Sequence, residues 1–179
     1  MTAAPAVVLD ACVLVNFSLC DTLLRMAEPP ELYEPRWSEE IMAETLRTLR
    51  SKLDWPASLT AYFAREVRAH FADAWVTGYE PLIPRMTNDP KDRHVLAAAV
   101  QCSASIIVTL NLRHFRPEHL SPWGIVALDP DAFLIGLYRQ EGGTVRVKIA
   151  QQAVDRRRTL PELLQILKPT VPGFVASIS

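Results

Sequence analysis

Short runs of β-branched and aliphatic residues alternate with longer amphipathic segments along this 179-residue chain, and that alternation limits the folds it can form. The runs AVVL at 6–9, SIIVTLN at 105–111 and WGIVALDP at 123–130 are typical of buried strands. Weaker strand signals lie at 31–35 and 80–84. Because helices between strands favour parallel pairing, the pattern predicts an α/β fold, a three-layer sandwich around a mostly parallel central sheet.

Helical segments fill the spaces between these strands. Ser38 is a typical N-cap before the segment EEIMAETLRTLRSKL, and a second predicted helix begins at Ser58 and ends at Gly78. Another is expected to begin at Asp131. Beyond Gly142-Gly143, two further amphipathic segments predict extra C-terminal helices. We therefore predict a main domain over residues 1–142 and a helical extension over 143–179 that packs on the domain or docks a partner.

Composition narrows the function classes. The chain is 49% hydrophobic, enough for a globular core, and its net charge of −1 provides no overall basic field for nucleic acid, although a local patch would suffice. No apolar run reaches the length of a membrane span, and the apolar N-terminal stretch lacks a basic leader, so neither a membrane segment nor a signal peptide is expected. Three cysteines without metal-ligand spacing indicate reduced thiols and a cytoplasmic protein.

Asp92 occupies an unusual place in the segment TNDPKDRHVLAAAV, residues 87–100. Asp89 reads as an N-cap, and Asp92 follows in the first turn, in line with Leu96 and Ala99 on the stripe that should face the core. The ordinary interpretation is a capping arrangement with Asp89 that favours the positive end of the helix dipole. The other interpretation is that the Asp92 carboxylate is buried because it interacts with another group in the folded chain.

Two strand ends supply candidate partners for Asp92. Asp10 directly follows the run VVL, and Asn111 follows IIVTL. Each alone would be a turn or capping residue, and Thr109 a strand former. At the carboxyl edge of a parallel sheet, however, they would converge with Asp92. Oxygen ligands crowded in this way repel one another unless a cation lies among them, and they favour Mg²⁺ or Mn²⁺.

Periodicity places Glu44 away from this edge. The predicted buried stripe of its helix is Met42, Leu46, Leu49 and Leu53, and Glu44 lies nearly opposite on the wheel. On this ground alone Glu44 is a solvated residue that pairs with Arg47.

Four segments carry a resemblance to a known family: VVLDACVLV, SEEIMAETL, DPKDRHVLAAAV and VTLNLRHF. In order and spacing they resemble the PIN-domain ribonucleases, in particular their toxin-type, VapC-like branch, over about residues 6–135. The resemblance implies that Asp10, Glu44 and Asp92 hold one or two Mg²⁺ or Mn²⁺ ions. It also implies that Asn111 completes the catalytic set and that Thr109 supports it.

The implied activity is metal-dependent hydrolysis of RNA phosphodiester bonds by the toxin of a toxin–antitoxin pair. The implied partners are an RNA substrate, an antitoxin protein and, as a further option, a second copy in a homodimer. Basic residues near the predicted site are candidates for contacts with the RNA backbone: Arg36, Arg85, Lys91, Arg93, Arg113 and Arg116. A general-base role for His94 or His114 is conceivable, but a surface position or phosphate contact is preferred.

Two departures from the family pattern keep alternatives open. Cys12 stands where the family often has Asn or Ser, and Asn111 stands where it often has Asp, which removes one negative charge. A non-catalytic PIN-like binding module with an impaired site is therefore the alternative. Phosphatases of the haloacid-dehalogenase type also place an Asp after the first strand, but they carry a second Asp at the position of Cys12, which counts against them.

Overall fold

The computed structural model describes residues 4–179, and these form a parallel sheet with helices on both of its faces. The strands are β1 (Ala6–Leu9), β2 (Glu34–Ser38), β3 (Trp75–Val76), β4 (Ile106–Val108) and β5 (Val126–Leu128). The helices are α1 (Ala11–Leu14), α2 (Phe17–Ala27), α3 (Glu39–Ser51), α4 (Ala57–His70), α5 (Arg93–Gln101), α6 (Pro117–Leu120), α7 (Pro130–Asp155), α8 (Leu160–Leu167) and α9 (Pro172–Ile178).

The strand order is β3-β2-β1-β4-β5, and every pair is parallel. Val8 of β1 lies opposite Arg36 of β2 and Ile107 of β4. The order reverses at β1, since the chain first builds outward to β3 and then returns to add β4 and β5. The carboxyl ends of β1 and β4 are therefore neighbours at a topological switch point, where open α/β sheets form ligand sites.

Helices cover the two faces in the way right-handed crossovers require. α5 packs against β1, β2 and β4, whereas α2 packs against β2 and α7, and α7 reaches β5. The strand residues Val7, Val8, Leu9, Ile107 and Val108 are buried between these layers. The prediction of a three-layer α/β sandwich is confirmed, and the sheet is parallel throughout.

Several local predictions were wrong. The segment at 80–84 is part of a 3₁₀ turn, Glu80–Arg85, because its prolines remove backbone donors that a strand would need. The helix predicted from Ser58 to Gly78 ends at His70, and the two-residue strand β3 follows. The break predicted at Gly142-Gly143 lies one residue earlier, since the non-helical backbone of Glu141 (φ −133°, ψ 48°) kinks α7 there and separates it into two helical parts.

Residues 143–179 share the hydrophobic core of the chain. Val145 and Ile149 of α7, Leu163 of α8 and Phe174 of α9 are buried in the same cluster as the sheet residues. Within residues 4–179, no helix is both long and apolar enough to cross a membrane.

Candidate active site

Asp10 is buried where β1 ends, and its carboxylate is held from β4. The Thr109 hydroxyl donates to Oδ2 of Asp10 over 2.7 Å, and the Cys12 thiol donates to the same oxygen over 3.3 Å. Cys12 also accepts the backbone N–H of Leu110 over 3.2 Å. Cys12, which stands where the resembling family often has Asn or Ser, thus still places a weak donor beside Asp10.

Thr109 also fixes the backbone at Asn111. The N–H of Asn111 donates to the Thr109 hydroxyl over 3.0 Å, so one buried threonine links the ends of β1 and β4. Asn111 precedes the 3₁₀ turn Leu112–His114 and is half-buried. The structure thus brings Asp10, Thr109 and Asn111 to one point of the sheet edge.

Asp92 is buried in the last position of the 3₁₀ turn Pro90–Asp92, directly before α5. Its carboxylate makes no capping bond; instead, Oδ2 lies 2.6 Å from Nδ1 of His114. Arg113 donates from Nε to Nε2 of the same ring over 3.2 Å. Because Nε2 accepts, the proton of the neutral imidazole belongs on Nδ1, where it donates to Asp92. The capping interpretation of Asp92 is therefore replaced by a histidine partner.

Asp89, Asp92 and His114 form a group that could hold a cation. One ligand atom from each lies within 4.8 Å of the others, and Nε2 of His114 is 3.9 Å from Asp89. Asp89 also caps the turn by accepting the N–H of Lys91, as predicted. Two carboxylates and one imidazole suit Mn²⁺ better than Mg²⁺, which prefers oxygen ligands.

Glu44 is half-buried on α3 and is not the fully solvated residue that periodicity predicts. Its carboxylate is 3.8 Å from Nε2 of the buried His94, whose Nδ1 is 3.8 Å from Glu40. Ile41 and Thr45 are buried, whereas Leu53 is half exposed. Met42 and Leu49 of the predicted stripe are buried and Leu46 packs against the core, as predicted, whereas Leu53 lies beyond the end of α3 at Ser51.

The charges of the three carboxylates act on one another. Burial raises the pKa of Asp10 above its ordinary 3.8; the Thr109 and Cys12 hydrogen bonds oppose this rise, and the charge of Asp92 adds to it. Burial also raises the pKa of Glu44, and the charges of Asp10 and Asp92 act in the same direction. Such a set is destabilised when ionised, and a divalent cation among the carboxylates would relieve the repulsion.

The basic candidates divide between two regions. Lys91 and Arg93 flank Asp92, and Arg113 and Arg116 follow Asn111. The Arg85 guanidinium stacks 5.3 Å from the ring centre of Trp123. Arg36, by contrast, pairs with Glu34 over 2.5 Å and lines a cavity that includes Ala4, at the opposite ends of the strands. The structure does not bring Arg36 to the acidic pocket.

Comparison with known proteins agrees with this geometry. A family model described as "PIN domain" matches residues 6–113, which is more than half of the chain and includes all four candidate site residues. The chain belongs to the PIN-domain family. The segment that matches the PIN-domain model ends two residues after Asn111, so α7, α8 and α9 lie outside it.

One curated relative, from Mycobacterium tuberculosis, is named "Putative ribonuclease VapC50". It is 43% identical over 106 residues, which are 58% of this chain and 63% of the relative. The chain therefore spans less than two thirds of that protein's length. A comparison with solved structures found no match.

Sequence reasoning missed two contributors to this PIN-domain pocket. His114 was assigned to the surface, yet it is the hydrogen-bond partner of Asp92. His94 is the buried neighbour of Glu44. Their position four or fewer residues from a candidate site residue was the only signal, since both contacts depend on how separate elements pack.

Proposed function

We propose that this PIN-domain chain is a metal-dependent ribonuclease that hydrolyses RNA phosphodiester bonds, and that it acts as the toxin of a toxin–antitoxin pair in the cytoplasm. The observation that carries the proposal is that Asp10, Asp92 and Glu44 lie close enough for their charges to interact: burial is the main cause of the raised pKa of Asp10 and of Glu44, and the charge of Asp92 adds to both rises. The Mycobacterium tuberculosis relative is named as a ribonuclease, which supports RNA hydrolysis as the reaction class.

The donor set fits a divalent cation. Asp10, Asp92 and Glu44 would hold it through carboxylate oxygens, and Asn111 would add a neutral oxygen nearby. A bound Mg²⁺ or Mn²⁺ supplies a Lewis acid and lowers the pKa of a coordinated water. Asp89 and His114 extend the set and favour Mn²⁺ as the better activator.

The residues of the chain would contribute orientation and charge. Thr109 and Cys12 hold the Asp10 carboxylate in one rotamer, and His114 does the same for Asp92. Positioned carboxylates are what in-line attack on a phosphodiester requires. The basic side chains near the pocket would bind the phosphates on either side of the cut: Arg85, Lys91, Arg93, Arg113 and Arg116.

A cleavage assay tests the proposal. Full-length protein is incubated with tRNA, rRNA and mRNA fragments in EDTA, Mg²⁺ or Mn²⁺, alongside the Asp10→Asn variant. Cleavage only with metal and only by the wild type is expected. RNA binding without cleavage under every condition would instead identify the non-catalytic PIN-like module.

The toxin assignment has its own test. Expression of the wild-type chain should arrest growth, and expression of Asp10→Asn should not. An antitoxin would be recognised as a co-expressed protein that restores growth and forms a complex with the chain. Growth arrest by both variants would separate toxicity from RNA hydrolysis and contradict the assignment.

We also propose that residues 1–142 act as the nuclease domain and that residues 143–179 are an extension folded onto it. Lys148 of α7 donates to the backbone oxygens of Arg25 and Glu28, at the end of α2. The side chains of Thr22 and Gln152 bond over 2.9 Å in the buried contact between the same helices. These contacts favour packing on the domain over a freely extended segment.

A further inference from the structure

A groove of about 720 Å³ continues the carboxyl edge of the sheet from the acidic pocket toward β5. One wall is formed by residues 110–113, which follow β4. Another wall is formed by Pro169, Thr170 and Pro172, where α8 is followed by α9, and residues 129–131 at the start of α7 complete the lining. We call this the edge groove. Asn111 lines the groove and its N–H donates to Thr109, which is bonded to Asp10, so the groove adjoins the acidic residues.

The wall from the C-terminal extension is tied to the main domain. Asn16, the N-cap of α2, donates from Nδ2 to the Thr170 hydroxyl over 3.3 Å. Asp131 accepts the N–H groups of Gly173 and Phe174 over 2.9 and 2.7 Å. This wall is therefore anchored to the main domain, and apart from Asn16 the residues that anchor it lie outside the matched PIN-domain segment.

The lining has the chemistry of a nucleotide site. Leu110 and Leu112 both line the groove and are 48% and 40% exposed, so together they offer it an apolar surface. Arg113 adds a guanidinium at the end nearest Asp92, which suits a phosphate. Asp129 adds a carboxylate at the other end, and only its Oδ1 is used to cap α7 through the N–H of Ala132.

We propose that the edge groove binds one nucleotide of the RNA beside the cleaved bond and selects its base. This inference rests on the proposed ribonuclease activity. Leu110 and Leu112 contact the face of the base, Arg113 contacts its phosphate, and Asp129 accepts a hydrogen bond from an exocyclic amino group. Cytosine, adenine and guanine carry such a group, and uracil does not. The groove therefore disfavours uracil at this position.

Randomised RNA decamers test the base preference. The cleavage products of the wild type, Asp129→Asn and Leu112→Ala are sequenced, and RNA retained by each protein in EDTA is sequenced as a second readout. Asparagine caps helices as well as aspartate does, so Asp129→Asn keeps α7 intact while it removes the charge. Asp73→Asn is the matched control, because Asp73 lines the cavity at the opposite strand ends.

The wild type and Asp73→Asn should show uracil depleted at one position next to the cut. Asp129→Asn should restore uracil there by about tenfold, since its amide can donate to the uracil carbonyl, and Leu112→Ala should weaken RNA retention.

Three results would contradict the groove proposal, the nuclease proposal or both. Unchanged base profiles in an active enzyme overturn the groove but not the nuclease, and leave a protein segment as the occupant. Base-selective retention without cleavage overturns the nuclease but not the groove. If the protein neither cleaves nor retains RNA, both the nuclease proposal and the groove proposal are overturned.

Discussion

His114 reaches across the pocket from the loop after β4 and places Nδ1 2.6 Å from the Asp92 carboxylate at the start of α5. The two residues lie 22 positions apart, and Arg113 holds the far side of the ring. A carboxylate that is oriented before a cation arrives loses less freedom on binding. His114 is therefore expected to govern how tightly the pocket binds metal.

Replacing His114 tests this relationship. His114→Ala should weaken Mn²⁺ binding by about 10–100-fold, the usual effect of losing a group that orients a ligand or of losing a ligand itself. His114→Asn should recover part of the affinity, because its amide can donate to Asp92. Calorimetric titration of Mn²⁺ measures both. His119→Ala is the control, since His119 is half-buried like His114 but bonds to Thr87 and not to Asp92; equal loss in the control would contradict the prediction.

Asp10→Asn should stabilise the fold in the absence of metal. The pKa of Asp10 is raised, so between pH 3.8 and that higher value the folded chain binds a proton that the unfolded chain does not. Stability is consequently lost as the pH rises through this window. Thermal unfolding in EDTA at pH 7 should give a higher midpoint for Asp10→Asn than for the wild type, and the difference should shrink as the pH falls toward 3.8.

In the presence of Mn²⁺, the wild type should have a higher unfolding midpoint than Asp10→Asn. A ligand that binds only the folded state at 100 times its Kd adds about 2.7 kcal/mol of stability. The wild type should gain on this scale, and Asp10→Asn should gain much less. Equal stabilisation of both proteins would show that the metal binds elsewhere.

Asn111→Asp should strengthen metal binding. The substitution restores a charge at the end of β4 without changing side-chain size, and divalent-ion affinity rises with the number of charged ligands. An increase on the order of tenfold in Mn²⁺ affinity is expected, with a lower melting temperature in EDTA because a further carboxylate joins Asp10 and Asp92. A variant whose melting temperature and Mn²⁺ affinity both match the wild type would place Asn111 outside the site.

The extension over residues 143–179 should unfold together with the main domain. Phe174 is fully buried in the shared core, so Phe174→Ala should cost about 3–5 kcal/mol. All four tryptophans lie within residues 1–142, and their fluorescence therefore reports on the main domain. One urea transition that shifts in Phe174→Ala is expected, whereas Val147→Ala, at an exposed site, should shift stability by no more than about 0.5 kcal/mol. An unmoved tryptophan transition would mark the extension as independent.

The parts of the fold that the sequence predicted are those set by local chemistry. The ends of β1 and β4 were visible because Asp10 and Asn111 interrupt aliphatic runs, and the cap at Ser38 was visible because its hydroxyl serves a neighbouring N–H. β3 was missed because a two-residue strand has no periodicity of its own and depends on pairing with β2.

The parts of the site that it missed depend on packing between distant elements. No local pattern could pair His114 with Asp92, since the 3₁₀ turn after Asn111 sets that contact. The helical wheel identified Met42 and Leu49 correctly, but it could not show that Glu44 is half-buried beside His94, which belongs to another helix. Resemblance to the PIN-domain blocks directed attention to Glu44 when periodicity did not.

Glu44→Gln is the substitution on which periodicity and resemblance differ. If Glu44 is a ligand, the loss of its charge should lower Mn²⁺ affinity at least about tenfold and reduce RNA cleavage in parallel. If it is only a rim residue, stability should shift by no more than about 0.5 kcal/mol and Mn²⁺ affinity should not change. Burial is the main cause of its raised pKa, and the charges of Asp10 and Asp92 add to the rise, which places Glu44 near these carboxylates and supports the first outcome.

The control for this substitution must match Glu44 in exposure and not in position. Neighbouring Glu40 is unsuitable, because it lies 3.8 Å from His94 and accepts a bond from Tyr79. Glu66 of α4 has a side chain 37% exposed against 44% for Glu44, and it lies away from the pocket. Titration of Mn²⁺ into Glu44→Gln and Glu66→Gln decides the question: equal affinities would leave Asp10 and Asp92, with Asp89 and His114 beside them, as the ligands of the site.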